Sequence, residues 1–287
     1  MLDYHLHLWP HGESGRPLHV DELHAYCEQA ATMGVTEIAL TEHLFRFTQA
    51  DELLSGWWES DPDPKLRSHM AEYWSSHVSA DLDDYVEKVL AAKAEGLPVL
   101  LGLEVDFYEG RMDVVADLLE GYPFDVLLGS VHWIGAWGFD VLGEPVVMNE
   151  WEQRDIDEVW HRYTLALEEL AASGVCDVLA HPDLPKVSGR RPSTPDEFYA
   201  RMTEAAATSG MAAEVSTAGW RKPVGEAYPA PPLLARFNQA GVPVTTASDA
   251  HSLPVVADRM GDTRALLAAA GYDTLSAFSG RTRRQVP

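Results

Sequence analysis

The sequence predicts an α/β barrel, and three observations predict it. Seven short apolar runs alternate with segments of helical period along 287 residues, with no obvious linker between them. That alternation means parallel strands joined by helical crossovers, in a barrel or a doubly wound sheet. The first run is followed by Trp-Pro-His-Gly and not by the glycine-rich turn of a dinucleotide-binding sheet. Histidines and carboxylates also gather where the runs finish: His5/His7, His43, Glu104, His132, His181 and Asp249/His251. The carboxyl ends of barrel strands open on one mouth, which explains why polar residues collect there.

The elements follow in order. His5 and His7 alternate with Leu2, Leu6 and Leu8, so an extended strand puts both imidazoles on one face. His11 sits in the turn that ends it. A helix is expected over Val20–Met33, then a strand from Val35 to Thr41 running into Glu42-His43. From about 45 to 80 the period breaks down, with Trp57, Trp58, Trp74, Pro62 and Pro64 among many charges. Long irregular insertions are commonly functional, and this one reads as a loop covering the active site. A helix over Asp81–Glu95 leads to the strand Val99–Val105, and a short helix over Arg111–Leu119 to the strand Phe124–Val131. Trp133 to Trp151 reads as a second loop. Helix 156–172, strand 175–180, helix 196–208, strand 211–216, helix 231–240, strand 242–248 and a last helix near 263–270 complete the series. The basic tail Arg281-Thr-Arg-Arg is expected to fray. The whole, 1–287, reads as one domain with an insertion at about 45–80.

Composition narrows the partners. Forty-five acids against 21 bases leave a formal net charge of −24, which repels a phosphate backbone and disfavours nucleic acid. No apolar run reaches membrane-spanning length, and no leader pattern precedes the first strand, so a cytoplasmic protein without membrane partners is expected. Cys27 and Cys176 fall in apolar patterns and read as buried thiols, not as a disulfide. Nothing in the sequence indicates an oligomeric state.

His5, His7, His11, His43, Glu104, His132, His181, Asp249 and His251 make nine candidate metal ligands. Each zinc-like ion takes about four ligands, some shared and some water, so the set suffices for two or three ions. Mixed imidazole and carboxylate ligation favours zinc, manganese or ferrous iron. Glu104, alone among histidines, is the natural bridging carboxylate. His19, His24, His69, His77 and His161 read as surface or loop imidazoles.

On His5-x-His7, His11, Thr41-Glu-His43, Gly102-Leu-Glu104, Gly129-Ser-Val-His132, Ala180-His181-Pro and Ser248-Asp249-x-His251, the sequence resembles the PHP (polymerase and histidinol phosphatase) superfamily over essentially its full length. The stretch Glu214–Pro229 looks like the histidinol-phosphate phosphatase branch. The resemblance implies a distorted (β/α)7 TIM-like barrel with its metal site at the carboxyl ends of the strands. It implies one ion on His5, His7, Glu104 and Asp249, a second on Glu104, His132 and His181, and a third on His11, His43 and His251. It further implies a trinuclear phosphatase of histidine biosynthesis acting on a small phosphorylated substrate, L-histidinol phosphate.

The chemistry is consistent with that reading. Neighbouring ions lower the pKa of a bound water toward ~7 and neutralise phosphoryl oxygens, so no side-chain nucleophile is needed. Asp249 or His251 could protonate the leaving alkoxide. Arg221, Lys186 and Arg190 are the candidates to hold phosphate oxygens, with Lys222 and Arg191 behind them. Asp183, Glu42, Trp9 and Trp133 follow strand ends and are candidates for the amine end of the substrate. Two other readings stay open: a PHP phosphoesterase on another small monoester, and an amidohydrolase-type enzyme, which also opens on His-x-His but wants a modified lysine on a middle strand.

Overall fold

The structure, a computed structural model, describes residues 1–10 and 18–287. His11 lies outside the described residues. Seven parallel strands form the central sheet: β1 Leu2–Leu6, β2 Glu37–His43, β3 Val99–Asp106, β4 Val126–Ser130, β7 Val178–Leu179, β8 Ala212–Ser216 and β9 Val244–Ala247, in that spatial order. Beyond β9 the chain returns to β1: Leu6 bridges Ala250 in parallel, and His7 N donates to Ala250 O at 2.8 Å. The sheet thereby closes into the barrel the sequence predicts, with helices between its strands.

Asp3 fastens that closure. Its Oδ1 accepts from Ser248 N at 2.7 Å, and its Oδ2 from Ser248 Oγ at 2.7 Å and Ala257 N at 2.9 Å. A buried carboxylate is tolerable here because three donors replace its water. Gly102 is needed on β3, since a Cβ there would lie 2.8 Å from Val126 O and 2.9 Å from Thr41 Cγ2.

The helices fall close to expectation: α1 Val20–Thr32, α4 Leu82–Ala94, α5 Met112–Leu119, α7 Ile156–Ser173, α8 Pro195–Ser209, α9 Pro231–Gln239 and α10 Met260–Ala270. Their starts have local causes. Asp155 caps α7 by accepting from Asp157 N and Glu158 N, and Gly174 ends it at φ 70°.

Three expectations need correction. The 45–80 insertion is not an irregular loop: it holds α2 Thr48–Leu54 and α3 Pro64–His77, joined by 3₁₀ turns. Its apolar residues are paired in space and not in sequence, which hid the helical period. Leu54, Trp58, Leu66, Met70 and Trp74 are all buried in the core. Trp74 packs on Phe45 and Trp58 with centroids 6.0 and 5.4 Å apart and donates to Asp51 Oδ1 at 2.7 Å. The 133–151 stretch likewise contains a hairpin, β5 Trp133–Ile134 with β6 Trp137–Gly138, and runs into helix α6 Pro145–Gln153.

The basic tail does not fray either. β10 Leu275–Ser279 and β11 Thr282–Val286 form an antiparallel hairpin. Arg281 at its turn donates to Asp177 at 3.0 Å and to Val175 O at 2.6 Å. Asp177 in turn accepts from Leu127 N and Asp125 from Leu101 N, both at 2.9 Å. The tail's charge thus ties it to the amino ends of strands, and the Asp177 contact helps explain why β7 is shorter than predicted. Among the described residues no helix is long and apolar enough to cross a membrane.

A core role for the insertion gives the first prediction. Trp74→Ala should destabilise the fold by roughly 3–5 kcal/mol, the usual effect of truncating a buried tryptophan. Urea unfolding should show it, and an unchanged midpoint would return the insertion to the status of a detachable cover.

Candidate active site

The strand ends bring five imidazoles to one carboxylate. Glu104 sits two residues before the end of β3, on the same side of the strand as Asp106. Its Oε2 lies 2.8 Å from His43 Nδ1, 3.2 Å from His5 Nε2 and 3.5 Å from His7 Nε2. Its Oε1 lies 3.0 Å from His181 Nε2 and 3.3 Å from His132 Nε2. Asp249 Oδ1 faces the same atoms, 3.6 Å from His7 Nε2, 4.0 Å from His5 Nε2 and 3.5 Å from His251 Nδ1.

Four groups of close ligand atoms result: His5/His7/Asp249, His5/Glu104/His181, His7/His43/His251 and His43/Asp106/His132. Every described member of the predicted ligand set appears in at least one. The first group holds three of the four residues expected for the first ion, while Glu104 is grouped with His5 and His181, and His132 with His43 and Asp106. His7 stands beside His43 and His251, where His11 was expected to complete a third set.

Asp106 is the group's addition to the sequence reading, but its contacts mark it as a support. His132 Nδ1 donates to Asp106 Oδ1 at 2.6 Å, leaving Nε2 to point at Glu104. His5 Nδ1 donates to Glu214 Oε2 at 2.7 Å, and His7 Nδ1 lies 3.5 Å from Glu42 Oε2. The carboxylates behind His5 and His132 fix which nitrogen faces inward and raise its basicity, the usual outer arrangement of a metal site. Sequence reasoning missed Asp106 and Glu214 in this role. The only signal was their position on the inner faces of β3 and β8.

Two tests favour a cation. Among the described residues, the buried His5 Nε2, both ring nitrogens of His7 and Glu104 Oε2 have no hydrogen-bond partner. Buried polar atoms are rarely left so, and here they converge. His181 at φ 27° and Asp249 at φ 51° also hold left-handed backbone at strand ends, a strain that persists where the surroundings impose it and that clusters at functional sites. The donor set, imidazole with carboxylate, suits zinc-like ions.

The protons tell the same story. Burial alone would lower His5 and His132, but the carboxylates outweigh it. Glu214, Glu104 and Asp249 hold His5 well above its ordinary value, and Glu104 with Asp106 pushes His132 up to about 10. Burial, with His251 and His43 alongside, holds His7 well below. Burial works to raise Glu104, yet His5, His132 and His43 together keep it well below the usual carboxylate range. In the metal-free protein, therefore, imidazolium protons supply the positive charge that balances the buried carboxylates.

The mouth is a cleft of about 270 Å³ lined by His43, Glu104, His132, His181, Asp249 and His251, with Arg221 and Lys222 on its wall. Arg221 is anchored there: its Nη2 donates to Ser248 O at 2.5 Å and Asp249 O at 3.1 Å, its Nη1 to Thr217 Oγ1 at 3.2 Å. The other predicted phosphate holders are engaged elsewhere. Lys186 is buried, its Nζ held by Asp183 at 2.8 Å and by Glu226 and Ala227 O at 2.7 Å. Arg190 donates to Trp151 O, and neither lines the cleft. Both expectations are corrected by local carboxylates and carbonyls that the sequence could not place. The predicted amine-end candidates fare likewise. Asp183 serves Lys186 and Ala230 N, Glu42 serves Arg46 and the Leu8 and Trp9 amides, Trp9 is buried against Phe47 and Tyr85, and Trp133 Nε1 donates to Phe107 O.

Comparison with known proteins agrees with this geometry. The PHP domain family matches residues 18–218. A Deinococcus radiodurans protein named "Probable histidinol-phosphatase" is 34% identical over 241 residues, covering 83% of each chain. The crystal structure of histidinol phosphate phosphatase from Lactococcus lactis, complexed with zinc, L-histidinol and phosphate, superposes with a TM-score of 0.69 at 21% identity, covering 99% of this chain and 98% of its own.

Metal binding must displace protons from His5 and His132, because ligation needs a bare nitrogen. Zinc affinity should therefore rise with pH through the neutral range, since His132 keeps its proton up to about pH 10 without metal. Calorimetry in buffers of different ionisation enthalpy should detect net proton release, and pH-independent binding would contradict the proton balance. Asp106→Asn should weaken metal binding roughly 10–100-fold without unfolding the protein.

Proposed function

Because the chain belongs to the PHP domain family, we propose that its barrel mouth hydrolyses L-histidinol phosphate to L-histidinol and phosphate. The observation that carries the reading is Glu104, one carboxylate within 3.5 Å of five imidazoles at the end of a closed barrel. The protein is a metal-dependent phosphatase. Two or three divalent ions, zinc, manganese or iron, would be held by His5, His7, His43, Glu104, His132, His181, Asp249 and His251. When bound, such ions supply an activated water near neutral pH and positive charge for the phosphoryl oxygens.

The chain's own residues do the rest. Glu214 and Asp106 orient the ring nitrogens of His5 and His132. Arg221, fixed by the carbonyls of Ser248 and Asp249, presents a guanidinium to a phosphate in the cleft. Asp249 and the adjacent His251 line the cleft, and one of them is the group to return a proton to the leaving alkoxide. The relative named for histidinol phosphatase and the fold shared with a histidinol-bound enzyme support this substrate over other small monoesters.

The decisive measurement is a ratio: kcat/KM for L-histidinol phosphate against p-nitrophenyl phosphate and glycerol phosphates. A ratio far above one is expected, and a ratio near one would leave only a general phosphomonoesterase. Glu104→Ala should be the most damaging ligand change, exceeding the roughly 10–100-fold losses typical of outer carboxylates and lowering metal content. Full activity in that variant would remove Glu104 from the bridging position.

A further inference from the structure

The cleft does not end at the imidazoles. It adjoins a small apolar recess lined by Phe45, Met70, Tyr73 and Val141, and beyond that an outer cavity of about 630 Å³ walled by Glu72, Tyr73, His77 and Lys222. His43 and His132 border both the cleft and the recess, while Tyr73 and Val141 border both the recess and the outer cavity. Among the described residues, Asp140 is the one that borders all three.

Asp140 is also short of a partner. Its Oδ1 is buried and has no hydrogen-bond partner among the described residues. A buried carboxylate oxygen without a donor is unfavourable, and native proteins keep such groups where something else completes them. The position is odd for a second reason. A carboxylate beside a cleft for a phosphate dianion repels that ligand, unless the ligand also carries a cation to meet it. Neither Asp183 nor Glu42 can meet a cation in its place, because both are buried beside Lys186 and Arg46 and line none of the three cavities.

We propose that Asp140 is the specificity-determining residue of the site, receiving the ammonium group of a phosphorylated amino alcohol while the phosphate lies among the cleft imidazoles and Arg221. This assignment rests on the phosphomonoesterase reading above. The ammonium supplies the donors that Oδ1 lacks, and the remainder of the substrate extends past the recess toward Tyr73 and His77. These two rings pack on each other, their centroids 4.2 Å apart and their planes tilted by 31°. A site completed by a substrate's amine rejects analogues lacking it, because the buried carboxylate oxygen is then left without a donor.

The test compares Asp140→Asn with the parent holoenzyme on three esters: L-histidinol phosphate, its analogue without the amine (3-(imidazol-4-yl)propyl phosphate), and p-nitrophenyl phosphate. The preference for the amine-bearing ester over its amine-free analogue should fall roughly 10- to 100-fold in the variant. Asp140→Glu, which keeps the charge, should restore part of it. Binding of L-histidinol, followed by calorimetry, should weaken in parallel. An equal loss on all three esters, or an unchanged preference, would overturn the assignment. If the parent enzyme ignores L-histidinol phosphate, O-phosphoethanolamine against ethyl phosphate separates the two ideas. A preference for the amine that Asp140→Asn abolishes upholds Asp140 while the histidinol substrate fails. No amine preference in the parent overturns Asp140 as well.

Discussion

Placing one buried carboxylate among five imidazoles constrains everything else in this molecule. Glu104 can stay ionised at the barrel axis only if positive charge surrounds it, because an unpaired buried charge costs several kcal/mol even after relaxation. Protons on His5 and His132 meet that need in the metal-free chain, and divalent ions would meet it better. The requirement spreads outward. Each protonated or ligating ring needs its far nitrogen satisfied, which accounts for Glu214 behind His5 and Asp106 behind His132. Several of the acids at the mouth thus have an electrostatic task within a chain whose formal net charge is −24.

Barrel closure serves the same end. The ligands from β1 and from the segment after β9 meet only because Asp3 and the Leu6–Ala250 bridge bring the first and last strands together. Asp249 reaches His5 and His7 from a left-handed backbone conformation, and Arg221 grips the two carbonyls of that turn. One guanidinium therefore steadies a ligand and faces the cleft. At the opposite end of the strands, Arg281 and the terminal hairpin hold Asp125 and Asp177 against strand amides. Stability is gathered at one end of the barrel and chemistry at the other, the division expected of the architecture.

The 45–80 insertion joins the two themes. Its tryptophans are core, and Phe45 stacks on His43 with centroids 4.8 Å apart. Tyr73 and His77 of its second helix, beside that buried side, wall the cavity beyond the imidazole-lined cleft. Selectivity can reside there because the segment is rigidly seated and still adjoins the place where substrates enter.

Much was already determined by the sequence alone. Period and alternation specified seven strands with crossover helices, and the residue types at their ends specified a mouth rich in metal ligands, because both patterns repeat along the chain. Glu104 as the carboxylate to look for at that mouth followed from its isolation among histidines, and it lies within 3.5 Å of five of them. What only the tertiary structure decided were the pairings between distant residues: Asp106 and Glu214 as supports, Lys186 and Arg190 diverted to Glu226 and Trp151, Asp140 Oδ1 without a hydrogen-bond partner among the described residues. The insertion's helices and the terminal hairpin were hidden for the same reason. Their apolar and charged residues answer to surfaces on other elements, so no local period records them. A charged side chain looks alike in sequence whether it meets a substrate, a neighbour or solvent, and only its surroundings in the fold separate the three.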